Sequence, residues 1–541
     1  MDVITNLKNL IIKAMNNFGL VLDLNDVVIE NSKNPLHGDY ATNVALKYSK
    51  SLSLKPFELA NKIKELINDE SIEKIEIAGP GFINFFMSKD SMSNLIKNII
   101  LKGDDYGRGE KKNIKINIEF VSANPTGSLH VGHARGAAIG DCVARILSFD
   151  GYDVTKEYYI NDAGNQINNL GLSLIERYKE IKGLPFQMPE DGYHGDDVKE
   201  IAKIINDKYP NLLDLSDSDQ LAFFKKEGSN LELERIKDVL KDFDVSFDVF
   251  SSELEVRKDG AIEKEIEFLK PYIYNDEKAL VLKTTSFLDD KDRIIVKSNG
   301  DYTYFLPDIV YHMNKKNRGF DLLIDVLGAD HHGYINRMKS AMMMHGFKED
   351  ILEVELIQMV RIMQDGVEVK ASKRSGNAIT LQELIDEVGK DAARYFFAMR
   401  ASSMHLDFDL TLAKEQSSSN PVYYAQYAHA RLARVLEQGK DIEYDIDNIS
   451  GLNTIYEINL IKALNDFPKE IKEASKERAP YKITNYIHRV AELVHSFYTE
   501  CKIVDKDNLS LSKSRLALSN ASKIVLKNAL NLIGVTALNK M

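Results

Sequence analysis

The chain runs to 541 residues, 44% of them hydrophobic, which is too long for one core and apolar enough for three or four packed domains. A formal net charge of −12 excludes a protein that holds nucleic acid through overall positive potential, while leaving room for a local basic patch. No apolar run reaches the roughly 18 residues of a membrane span and the opening MDVITNLKNLIIKAMNNFGL is amphipathic, so a cytoplasmic protein is expected.

Residues 1–102 read as a small α+β domain. Leu7 to Phe18 and Leu59 to Ile67 have helical spacing, and Lys74 to Met87 reads as two short strands around a Pro-Gly turn. Within this part, PLHGDYATNVAL brings His37, Asp39, Tyr40 and Asn43 together, a pattern that suits a helix start capped by Asp39. The glycine-rich, charged stretch LKGDDYGRGEKK is the expected linker.

Next, the β-branched run Ile116, Ile118, Phe120 and Val121 gives way to the turn formers of SANPTGS, and Gly136 to Leu147 reads as a helix. A strand, a tight loop and a helix in an open α/β sheet place ligands at the strand's carboxyl end. His130 and His133 fall at the helix start, where free amides and the helix dipole favour an anion, so HVGH is suited to phosphates. Tyr152 to Ile160 returns as a strand and runs into NDAGNQI, whose Asn161, Asp162, Asn165 and Gln166 suit either a helix cap or a site wall. Residues 183–289, charged and helical in pattern, fit an insertion between two halves of a sheet.

The second half of the sheet is expected to resume at Arg293, with RIIVKS, DYTYFL and DLLIDVLGAD as strand-like segments. The polar knot GADHHGY follows. Adjacent Asp330, His331 and His332 suit a tetrahedral metal poorly, so no metal is assigned and Asp330 and His331 are read as a ligand edge. In VEVKASKRSGNAITLQEL a basic loop holding Lys370, Ser372, Lys373 and Arg374 precedes Thr380, a good N-cap. From Gln416 onward strand signals nearly cease. Successive amphipathic segments predict a helix bundle, and from Pro421 to Met541 there are 17 Lys and Arg against 14 Asp and Glu. Most of Tyr423, Tyr424, Tyr427, Tyr481, Tyr486 and Tyr498 are expected in its core, although aromatics beside Arg and His are also what splayed RNA bases stack on. Cys142 and Cys501 stand alone, without a CxxC, and are read as small core residues.

The phrase FVSANPTGSLHVGHARGAAIGD resembles the HIGH signature of class I aminoacyl-tRNA synthetases in its arginyl-tRNA synthetase form. KASKR stands about 240 residues later, where that family carries KMSKS; alanine at position 371 replaces the usual methionine. NPVYYAQYAHAR and the final Met541 resemble the family's anticodon-binding domain, and PLHGDYATNVAL its amino-terminal domain, which contacts the tRNA D arm.

The resemblance implies an α/β fold: a Rossmann-like catalytic domain over 113–415 with its insertion, the small α+β domain at 1–102 and a helical anticodon-binding bundle at 416–541. It implies ligation of L-arginine to tRNA(Arg) through an arginyl-adenylate, with ATP and Mg2+, no tightly bound cofactor, and a monomer. His130, Gly132 and His133, with Ser372 and Lys373, would hold ATP, and His130, His133, Lys370 and Lys373 would carry the catalysis. A glutamate before the HIGH loop and a tyrosine and aspartate four apart take the guanidinium in this family. Here these are Glu119, Tyr304 and Asp308, with Asn124 at the other end of the amino acid. A smaller nucleotidyltransferase also uses HxGH, but would not need a helical tail of this length.

Overall fold

The computed structural model describes residues 3–32, 37–369, 378–444 and 446–541, so Lys370, Ser372, Lys373 and Arg374 of the KASKR loop lie outside the described residues. The first 87 residues hold their own core. Strands β1 (Glu30–Asn31), β2 (Tyr40–Thr42), β3 (Ile72–Ala78) and β4 (Phe82–Met87) form an antiparallel sheet in the order β1-β2-β4-β3. Helices Val3–Asn16 and Pro56–Leu66 bury Leu7, Ile11, Leu59 and Ile63 against Ile83 and Phe85. Pro56 opens its helix at a position where no backbone donor is lost.

Asp39 does not cap a helix. Its carboxylate accepts the Met87 N–H at 2.7 Å and pairs with Lys462 at 2.8 Å, while Asn465 donates to the Tyr40 hydroxyl at 3.0 Å. The stretch expected to start a helix is therefore β2 and a clasp onto the carboxyl-terminal bundle; Asn43 takes the cap position of the short helix Val44–Tyr48. A carboxylate two residues from Ala41 in an extended segment faces outward and finds its cation on the neighbouring domain.

The main body follows in chain order as β5 (Lys115–Glu119), β6 (Asp153–Ile160), β7 (Val249–Ser252), β8 (Ile273–Asp276), β9 (Ala279–Leu282), β10 (Arg293–Val296), β11 (Leu322–Gly328), β12 (Leu352–Ile357), β13 (Val360–Gln364), β14 (Val367–Glu368) and β15 (Leu406–Asp409). Five of them make a parallel sheet in the order β12-β11-β5-β6-β7. Strand order reverses between β5 and β11, and a crevice for a ligand opens at the carboxyl ends there.

The sheet departs from the expected segments in two places. β7 lies inside 183–289 and is the fifth parallel strand; only helices Asp196–Lys208 and Asp217–Asp242, with Asn165–Ile181, form a separate helical core around Leu174, Tyr178, Ile201 and Phe224. The parallel sheet resumes at Leu322, not at Arg293. RIIV pairs antiparallel with β9 in a three-stranded side sheet, and Tyr304 opens helix Phe305–Asn317. The aromatic run DYTYFL reads as a strand, but Phe305, Leu306, Ile309 and Val310 are buried with helical spacing, and that burial overrides β propensity.

Helices Pro421–Gln438, Ile455–Glu477, Pro480–Glu500 and Leu509–Leu532 form the bundle. Its core is continuous with that of the parallel sheet, and Ile96 and Ile99 of helix Lys89–Lys102 join it. Of the six tyrosines singled out, only Tyr486 is buried; the others are half-buried, which corrects the expectation that most would be core. Tyrosine needs a partner for its hydroxyl, and a bundle surface rich in Arg and His supplies one without full burial. Among the described residues no helix is long and apolar enough to cross a membrane.

Helix Val131–Phe149 packs directly on the loop after β5. A Cβ on Gly140 would stand 2.4 Å from the Phe120 ring, whereas one on Gly136 would meet nothing within 4 Å. Gly140→Ala is therefore expected to cost about 1–3 kcal/mol through overpacking, and Gly136→Ala to stabilise by up to about 1 kcal/mol. Denaturant unfolding of the two variants checks the difference, and equal midpoints would refute the close approach.

Candidate active site

The crevice begins where β5 ends. Val121 and Ser122 both adopt positive φ, 68° and 39°, an uncommon pair for residues with side chains and a costly one for a β-branched valine. This turn presents the Ser122 hydroxyl, which donates to Glu119 at 2.9 Å and accepts the Tyr159 N–H at 3.0 Å.

His130 caps helix Val131–Phe149: its Nδ1 accepts the Gly132 N–H at 3.1 Å, and the His133 Nδ1 accepts the His130 N–H at 3.4 Å. The rings stack with centroids 3.8 Å apart. Since both Nδ1 atoms accept, both neutral rings carry their hydrogen on Nε2. Burial lowers the pKa of each, that of His133 to about 4 with His130 adding repulsion, so near neutral pH the pair presents two neutral N–H donors beside a helix start.

The carboxyl-terminal flank of the KASKR loop is tied to this same start. Val131 N–H donates to Ile379 O at 3.1 Å and Leu381 N–H to Leu129 O at 2.7 Å, with Thr380 bridged to His130. Thr380 then caps helix Leu381–Val388 in a reciprocal box with Glu383, as its sequence predicts. Arg135, fully buried, donates to the carbonyls of Gln358, Ala401 and Met404 at 2.7–2.9 Å and so fixes the β13–β15 sheet against the HVGH helix.

On the other side of β5, Glu119 and Asp308 come together with groups that the sequence does not single out. Lys315, with no exposed surface, donates to Glu119 at 2.5 Å and to Asp325 at 3.0 Å. Asp308 is half-buried and its carboxylate makes no hydrogen bond or ion pair among the described residues; desolvation, with Glu119 and Glu253 nearby and only partly offset by His312 and Arg337, pushes its carboxyl up to about 7. The Tyr159 hydroxyl is buried and, among the described residues, without a partner in the same field, close to Glu253, Asp308 and Glu119, its ring 4.3 Å from that of Tyr311. Arg337 lies over the rings of Phe305 and Tyr334 with its Nε unpartnered. A carboxylate and a hydroxyl, both desolvated and both unsatisfied, call for a ligand with several charged donors.

Tyr304 stands one turn before Asp308 and is 75% exposed, at the mouth of this pocket. Asn124 is half-buried and donates to Gln166, while Asp162 accepts from Ser252 and the Leu254 N–H. Asp330 and His331 form an exposed pair at 3.7 Å just beyond the end of β11, on the crevice rim. His345 is elsewhere, bonded to Glu265 at 2.6 Å.

The family model for the class I (R) tRNA synthetase catalytic domain matches residues 95–434, more than half of the chain. The chain belongs to the arginyl-tRNA synthetase family. Models for the arginyl-tRNA synthetase N-terminal domain and the DALR anticodon binding domain match residues 5–87 and 425–541. Among curated relatives of the family, the arginine–tRNA ligase of Bacillus subtilis is 48% identical over 95% of this chain and 94% of its own, and that of Staphylococcus epidermidis 46% identical over the whole of both. The Thermus thermophilus arginyl-tRNA synthetase structure superposes with a TM-score of 0.76 over the whole of both chains at 19% identity, a likeness of fold.

The region matched by the DALR model carries a cluster of cations and rings in this family member. Arg431 lies between the rings of Tyr427 and Tyr498, 4.4 and 4.9 Å from their centroids, and His495 packs against Tyr424 and Tyr427.

Proposed function

We infer that the chain ligates arginine to tRNA in two steps. The arginine carboxylate attacks the α-phosphorus of ATP, pyrophosphate leaves, and the arginyl group of the adenylate then passes to the terminal ribose of tRNA. Positioning and charge neutralisation suffice for such a transfer, so no protein nucleophile is required. The observation that carries the reading is the desolvated, unpartnered carboxylate of Asp308 in the same crevice as the neutral N–H donors of HVGH.

Asp308 takes the guanidinium, with Glu119 alongside, Tyr159 donating or accepting at its edge and Tyr304 covering the mouth. Asn124 takes the α-amino or carboxylate end, and Asp330 and His331 line the rim. His130, Gly132 and His133 hold the phosphates, and Ser372 and Lys373 of KASKR, with Lys370, stabilise the departing pyrophosphate. Among the described residues no group of three His, Cys, Asp or Glu is spaced to hold a metal, and magnesium would arrive on the nucleotide phosphates. We place the enzyme in the cytoplasm as a monomer that meets tRNA(Arg) through its amino-terminal domain and its bundle. Arginine-dependent charging of tRNA by the purified chain tests the whole reading, and activity equal with citrulline would overturn it.

Removing the bundle would not isolate its role, because its core continues into that of the catalytic sheet. A point change is cleaner. Arg431→Ala together with Tyr427→Ala should raise the KM for tRNA by at least about tenfold, at about 1–3 kcal/mol per lost stack, while leaving the KM for arginine unaltered. An unchanged tRNA KM would remove this face from the tRNA path.

A further inference from the structure

Asp325 of β11, Glu119 of β5 and Glu157 of β6 stand side by side in register across three neighbouring strands, and all three are buried. Like charges at this spacing need counter-cations. Helix Phe305–Asn317 lies over them with a basic residue at every third position: His312, Lys315 and, just past its end, Arg318. His312 bonds Asp325 at 2.8 Å, Lys315 bonds Asp325 and Glu119 at 3.0 and 2.5 Å, and Arg318 bonds Glu157 at 2.6 Å.

The protonation of His312 follows from geometry. Its Nδ1 faces the Asp308 carbonyl at 2.7 Å and its Nε2 faces the Asp325 carboxylate, and since both are acceptors both ring nitrogens carry hydrogen. The ring is a cation, and Asp325 raises its pKa against the effect of burial. Three carboxylates thus meet three cations. Glu253, also near Asp308, has its own cation in Arg257, and Arg337 stacks over Phe305 and Tyr334 and makes no ion pair with Asp308 among the described residues. Asp308, one helical turn before His312, is therefore left over at the open end of this ladder.

We propose that the ladder sets the charge of the arginine pocket, with His312, Lys315 and Arg318 cancelling the three sheet carboxylates so that Asp308 alone awaits a cation. The pocket then suits a single monocation. Lys315, which touches two of the three carboxylates, is a positioning residue that removes the charge of Glu119 from the count and fixes its orientation. This deepens the proposed function and rests on its reading of Asp308 as the guanidinium partner. At an effective dielectric of about 20, one uncancelled charge beside the pocket is expected to change arginine affinity by at least about tenfold.

The test uses the full chain with tRNA and ATP, and reads the KM for arginine and the inhibition constant of citrulline, a neutral isostere. Asp325→Asn subtracts one negative charge without touching a residue assigned to the guanidinium and is expected to raise the arginine KM by at least about tenfold while citrulline inhibition stays in place. Lys315→Met combined with Asp325→Asn removes one charge of each sign, and the arginine-over-citrulline preference should return to within about threefold of the parent. A double variant that keeps the Asp325→Asn loss, or in which the losses multiply, overturns the proposal.

If the double variant does not fold, the near-isosteric Asp325→Asn alone decides, because Asp325 lies behind the pocket. A rise in arginine KM without weaker citrulline inhibition supports the ladder, and equal loss of both ligands overturns it. Should Asp308→Asn leave arginine KM unchanged, it is the pocket assignment that fails and not the charge count.

Discussion

Asp308→Asn is expected to lower kcat/KM for arginine by at least roughly 100-fold, because one partner of a buried charge pair typically costs about 3 kcal/mol or more to remove. Asparagine keeps the shape, so ATP binding should persist. Citrulline has nearly the shape of arginine without its charge and should inhibit the variant almost as well as the parent, which narrows the preference between them. A variant that keeps the parental arginine-to-citrulline ratio would show that Asp308 does not meet the guanidinium.

The same residue predicts a pH dependence. In the arginine-free enzyme burial and the neighbouring Glu119 and Glu253 hold the Asp308 carboxyl at about 7, against the opposing pull of His312 and Arg337. A guanidinium binds the ionised form. Above pH 7 that form is already present, and below it binding must expel a proton, so the KM for arginine should rise by up to about tenfold per pH unit as pH falls from 7. His312 adds no opposing titration, because both of its ring nitrogens face acceptors and Asp325 raises its pKa against the effect of burial. An arginine KM flat between pH 6 and 8 would contradict the shifted carboxyl.

Much of this site is legible in the sequence because its parts are local. HVGH follows a strand and opens a helix, and the Thr380 cap with Glu383 three residues on is a pattern of adjacent residues. What stays hidden depends on pairings distant in the chain. Glu119, read alone, is a buried carboxylate that demands a cation from the substrate; the structure brings Lys315 from 196 residues away to meet part of that demand. Tyr159 sits in YYIND as an ordinary strand tyrosine, and only the register of β6 beside β5 leaves its hydroxyl unpartnered near Asp308. The spacing of His312, Lys315 and Arg318 on one helix face was available, but the three carboxylates opposite become a row only once β11, β5 and β6 are aligned. β7 stays hidden for a related reason: four residues, Val249–Ser252, carry too little alternation to be separated from the helices around them.

The second large effect is expected at Lys373, outside the described residues, and the frame on either side of it supplies the reason. On the amino-terminal side the β13–β14 hairpin is closed by the Val369 N–H on Ile362 O at 2.8 Å. On the carboxyl-terminal side Ile379 and Leu381 are hydrogen-bonded to the residues flanking His130, and Arg135 ties the hairpin's sheet to the HVGH helix. These anchors frame both ends of the stretch that carries Lys373, the lysine proposed to stabilise the departing pyrophosphate. Its charge is needed most when negative charge builds on the leaving pyrophosphate, so Lys373→Ala should slow adenylate formation by at least roughly 100-fold, the usual loss for one preorganised charge donor. The KM for arginine should hardly move, because the proposed guanidinium pocket lies across β5. Thr380→Ala loosens only one anchor and should cost about 1 kcal/mol of helix capping, with a correspondingly smaller drop in rate. Single-turnover adenylate formation measured beside steady-state KM separates the two, and a large rise in arginine KM with little change in kcat for Lys373→Ala would place that lysine outside the transition state.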